Sequence, residues 1–144
     1  MSVAVLGVGN MLRGDDAIGP VVVRELLDEG VDAFFFECGT APESFTGAVI
    51  LKKPKKIVIV DAVDMNKEPG TVEIVDISTI SGMLISTHKL PLSLTIKHLE
   101  TSTKNIVFVG AQPKITAFGE EMTEAGKKAV IRAKELVLNE ISID

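Results

Sequence analysis

Tryptophan and tyrosine are absent from the 144 residues, histidine occurs twice and cysteine once. A single cysteine, Cys38, excludes an intramolecular disulfide and a multi-cysteine zinc site. Any site that uses an imidazole must use His88 or His98. The missing Trp and Tyr remove the best stacking platforms for single-stranded nucleic acid. A net charge of −5, from 15 Lys and Arg against 20 Asp and Glu, is a poor match for a phosphate backbone. Apolar runs such as Ala33 to Phe36 and Ile57 to Val60 fall far short of the ~20 residues of a membrane span. The opening Met1-Ser2-Val3-Ala4-Val5-Leu6 lacks the basic segment of a secretion signal. The expectation is a cytoplasmic, monomeric protein that binds neither nucleic acid nor membrane.

What is present suits one globular domain over residues 1–144. Hydrophobic residues make up 46% and charged residues 24%, a balance that excludes wholesale disorder. Val3 to Val8 is a continuous apolar run bounded by glycine, which predicts a strand buried on both faces. Ile18 to Leu27 carries Val22, Val23, Leu26 and Leu27 at helical spacing, and Pro20 fits its first turn. Ala33 to Phe36 and Ile57 to Val60 read as further strands, with a helix opened by Pro42-Glu43-Ser44 between them. Thr71 to Ile77 alternates as a half-wet strand, Asn105 to Gly110 reads as buried, and Pro113 to Gly119 reads as an edge strand. Helices are expected from Pro91 and over Thr123 to Glu140. Strand and helix alternating in this way predict an α/β sandwich with a largely parallel sheet, whose ligands sit beyond the carboxyl ends of the strands.

Those strand ends carry acids. Gly7-Val8-Gly9-Asn10 invites a dinucleotide reading, but Leu12 stands where a third glycine is needed, and Asp15 and Asp16 would repel a pyrophosphate. One of the two aspartates has a plain use as a helix cap. Asp61 emerges from a strand without another polar residue, so its carboxylate needs a partner or a metal, whereas Asp64 suits a turn. His88 lies in a polar loop before a helix, and His98 falls on that helix's wet face. Cys38 with His88 and an acid would make a thiol-hydrolase triad, against which lone cysteines are commonly buried and inert.

Gly7 to Gly19 is similar to the opening signature of the hydrogenase maturation proteases, the endopeptidases that trim the large subunit of nickel–iron hydrogenases. Ile57 to Asp64 with Glu68-Pro69-Gly70-Thr71 resembles the family's second signature, and Thr87 to Leu92 its histidine segment. Gly110-Ala111-Gln112-Pro113 and Ala41-Pro42-Glu43 resemble the branch that serves the hydrogenase 3 of formate hydrogenlyase. The resemblance runs from about residue 3 to about residue 138, with the motifs in order.

It implies a three-layer sandwich of phosphorylase/hydrolase-like architecture, with a mixed sheet between helices. It implies that Asp16, Asp61 and His88 contact nickel and act catalytically, and that the nickel arrives with the large-subunit precursor. Two carboxylates and an imidazole suit a borderline divalent ion with open positions. The family's Asp-Gly-Gly-Thr, implicated in recognising the substrate tail, is Glu37-Cys38-Gly39-Thr40 here. Glu37, Gly39 and Thr40 inherit that role by resemblance, while Cys38 stands where a glycine with positive φ would sit. Two other classes share parts of the pattern. One is a peptidyl-tRNA hydrolase-like esterase, disfavoured by the acidic charge, and the other is a non-catalytic chaperone for the nickel-loaded subunit.

Overall fold

The computed structural model describes residues 2–78 and 92–143. Five strands form one sheet: β1 (Val3–Val8), β2 (Phe34–Gly39), β3 (Lys56–Ala62), β4 (Val72–Val75) and β5 (Ile106–Ala111). Their order is β2-β1-β3-β5-β4. All neighbours are parallel except β4, which runs antiparallel along β5 at one edge. The central strands are the ones with unbroken apolar sequence, as expected where helices cover both faces.

Alternation along each strand sends side chains to two separate cores. Val3, Val5, Val58, Val60 and Val109 pack with α1 (Ile18–Asp28) and α4 (Glu124–Ser142). Ala4, Leu6, Ile57, Ile59 and Phe108 pack on the other face with α2 (Thr46–Leu51) and α3 (Leu92–Leu99). The result is the expected three-layer sandwich. Lys56 is nearly buried at the start of β3, where its ammonium donates to the carbonyls of Glu140 and Ile143 and pairs with the Glu140 carboxylate at 3.2 Å. It thereby satisfies carbonyls at the end of α4 that the helix leaves without partners.

Residues 113–119 form no strand, contrary to the expectation. The N–H groups of Lys114 and Ile115 donate to the buried Asp15 carboxylate, at 2.8 and 3.4 Å, instead of to a neighbouring strand. That edge of the sheet is closed by β4. Pro42–Ser44 is a short 3-10 turn separate from α2, where one helix was expected. The start of the α3 helix at Pro91 lies outside the described residues.

Candidate functional site

Parallel register places the ends of four strands side by side. Val8 is level with Gly39 and Asp61, and Asp61 is level with Gly110. Asp61 is fully buried. Counting alternate residues from Ile57 and Ile59 puts its side chain on the α2/α3 face. Asp16 belongs to a 3-10 turn, Gly14–Ala17, which lies against the end of β3.

Two glycines allow that approach. A Cβ on Gly19 would stand 2.4 Å from the Val8 carbonyl oxygen and 2.5 Å from that of Val60, so only glycine lets the first turn of α1 rest on β1 and β3. Gly9 has φ +148°, and a Cβ there would meet the Asp16 carbonyl oxygen at 1.9 Å. Asp16 is therefore clamped against the strand ends. One carboxylate oxygen, Oδ2, accepts the Asn10 backbone N–H at 2.8 Å. The other, Oδ1, is buried with no hydrogen-bond partner among the described residues. A charged oxygen so placed carries a desolvation cost of a few kcal/mol unless a ligand meets it.

Asp15, next in the chain, is put to a different use. Its carboxylate accepts the N–H groups of Lys114, Ile115 and Thr123 and the Thr123 hydroxyl, the last at 2.7 Å. The Thr123 hydroxyl oxygen in turn accepts the Gly126 N–H and caps α4. Asp15 caps no part of α1; it ties the 113–123 loop to the turn that carries Asp16. Gln112 is a second organiser. Its Oε1 accepts the N–H groups of Met65 and Lys67, and its Nε2 donates to Asp64 Oδ1 at 3.3 Å. Asp64 also accepts the Asn66 N–H, the turn expected for it.

At the end of β2, Glu37 is held by Arg24 of α1 in a two-pronged pair at 2.7 and 2.9 Å. The carboxylate raises the Arg24 pKa, chiefly through the hydrogen bond. Positive φ falls on Gly39, at +57°, so Cys38 occupies an ordinary conformation. Gly39 also accepts the Gly9 N–H through its carbonyl at 2.8 Å, and Thr40 is exposed beside it. Cys38 is buried in the α2/α3 core, and desolvation, aided by the Glu43 charge, pushes its thiol up to about 12. A thiol so placed stays protonated and makes a poor nucleophile. His98 is exposed near the end of α3. His88 lies outside the described residues.

The structure thus brings Asp16 and Asp61 to adjoining strand ends and keeps Glu37 engaged with α1. The Asp15 latch and the Gln112 brace were not legible, because their partners are remote in sequence. The one local signal was glycine at positions 7, 9 and 19, which reads equally as a loose nucleotide fingerprint.

Residues 22–140 match the hydrogenase maturation protease family HycI. The hydrogenase 3 maturation protease of Escherichia coli K12 is 34% identical over 132 residues, covering 90% of this chain and 85% of that protein. The coenzyme F420 hydrogenase subunit delta of Methanothermobacter thermautotrophicus is 33% identical over 151 residues, covering 98% and 95% respectively. Among solved structures, the NiFe hydrogenase maturation protease HycI from Thermococcus kodakarensis KOD1 superposes with a TM-score of 0.83 at 37% identity, covering 96% of this chain and 90% of that one. The maturating endopeptidase HybD of Escherichia coli does so at 0.80 and 26% identity, covering 98% and 92%. With the family matched over most of its length, the chain belongs to the hydrogenase maturation proteases.

Proposed function

We propose that this protease removes a C-terminal extension from the nickel-loaded large-subunit precursor of a nickel–iron hydrogenase, and that Asp16, Asp61 and His88 contact the nickel its substrate carries. The observation that supports this reading is the buried Oδ1 of Asp16, without a hydrogen-bond partner among the described residues and fixed in place through Oδ2 and Asn10. Folding tolerates such an oxygen where function uses it. Asp61, buried level with Val8 at the adjoining strand end, supplies the second carboxylate. Among the described residues, no three His, Cys, Asp or Glu side chains form a group able to hold a metal ion.

Nickel in the substrate polarises the scissile carbonyl or an attacking water. The carboxylates orient the precursor, and a carboxylate oxygen of Asp16 or Asp61 that is not bound to the metal takes the proton from water. Glu37, Gly39 and Thr40 meet the substrate tail, with Arg24 setting the Glu37 carboxylate. The protein is read as a cytoplasmic monomer; no described helix is long and apolar enough to cross a membrane.

Replacing His88 with Ala tests the assignment of the third group. Processing of a nickel-loaded precursor should be abolished while the circular dichroism spectrum and the unfolding midpoint stay as in the wild type. Unimpaired cleavage by this variant would sink the metal-contact model.

A further inference from the structure

We propose that an apolar rim made by Leu12, Ile115 and Phe118 docks the folded body of the hydrogenase precursor through an apolar patch beside the root of its C-terminal extension; this rests on the proposed function. Leu12 is 61% and Phe118 69% exposed, with Ile115 and Met11 partly so. Scattered exposed apolar residues need no explanation. These are not scattered. The Gly119 N–H donates to the Leu12 carbonyl at 2.8 Å, which sets Phe118 next to Leu12. The Asp15 N–H donates to the Ile115 carbonyl at 2.7 Å, and the Gly14 N–H to that of Glu120 at 3.0 Å.

Two loops are thus bonded into one edge, and the buried Asp15 carboxylate anchors it from beneath. A surface held this rigidly loses little entropy when it binds. A shallow cleft of about 350 Å³ runs beside it, between Met11, Leu12, Val21 and Met122, with Glu120 and Glu121 on its wall.

The occupant follows from continuity. Leu12 lies in the turn that leads directly into the 3-10 turn of Asp16, so this edge borders the place where the precursor's C-terminal tail arrives, and its folded body is the neighbour that meets the rim. The two glutamates favour a partner whose apolar patch has a basic margin. A short peptide offers no apolar patch of that kind, so the rim favours folded precursor over a bare tail.

The test is steady-state processing of the nickel-loaded large-subunit precursor from the same genome by the Leu12→Ser/Phe118→Ser double variant. Both side chains are exposed, so the fold should be retained. We expect kcat/KM to fall about 10- to 100-fold, through KM, with kcat unchanged. An unchanged KM, or a loss confined to kcat, overturns the docking surface. So does sedimentation showing that the wild type dimerises through this rim and the variant does not, with KM unchanged. Wild-type protein run in parallel separates the two readings. No cleavage by the wild type removes the proposed function and the docking with it, whereas cleavage by the wild type and an equally good variant removes the docking alone.

Discussion

A side-chain carbon on Gly9 would stand 1.9 Å from the carbonyl oxygen of Asp16. The backbone at Gly9 also holds φ +148°, a region that other residues rarely enter. Position and conformation therefore demand glycine together. Gly9→Ala should cost about 2–4 kcal/mol of stability and push the Asp16 turn off the strand ends. Urea unfolding measures the first, and loss of precursor processing the second.

Asp15 and Asp16 should respond in opposite ways to substitution. Asp15→Ala strips the acceptor from three N–H groups and a hydroxyl, so it should destabilise by about 3–5 kcal/mol. Asp16→Asn keeps an oxygen for the Asn10 N–H and removes a buried charge. Its stability should stay within about 1 kcal/mol of wild type while cleavage falls at least ~100-fold. Denaturant unfolding and processing assays on the two variants give both numbers.

Gln112 should govern the loop after β3. Gln112→Leu keeps much of the volume and leaves the Met65 and Lys67 N–H groups without their acceptor. Hydrogen exchange at those two amides should speed up, with the amides of β1 unchanged.

Cys38 should be chemically silent. With its thiol pushed up to about 12 by burial, native protein at pH 8 should resist iodoacetamide and process precursor undiminished. Its pH linkage has a definite sign. Between the ordinary thiol value of 9.0 and about 12, the unfolded chain has lost this proton and the native chain still holds it. Stability therefore falls as pH rises through that window. The fall should be shallower in Cys38→Ala, as read from unfolding midpoints at pH 8 and pH 10.5.

The strands and most helices were legible because burial on two faces leaves a continuous apolar run, as in Val3–Val8 and in Ile57 to Val60 within β3. Residues 113–119 misled for a physical reason. Ile115 and Ala117 alternate with polar residues, but the backbone donors of this segment had a better acceptor in Asp15, far away in sequence. The same contact explains why two neighbouring aspartates could not be told apart. Which of them accepts four hydrogen bonds and which keeps an oxygen without a partner among the described residues depends on α4 and on the loop before it. The pairing of Glu37 with Arg24 was also out of reach, since it depends on how α1 lies across β2.

Intact-mass analysis of the large-subunit precursor, incubated with this protein with and without nickel, tests the central claim most directly. A C-terminal peptide should be lost only from the nickel-loaded precursor, and none should be lost with Asp16→Asn. Equal cleavage of nickel-free precursor, or full cleavage by Asp16→Asn, would contradict it.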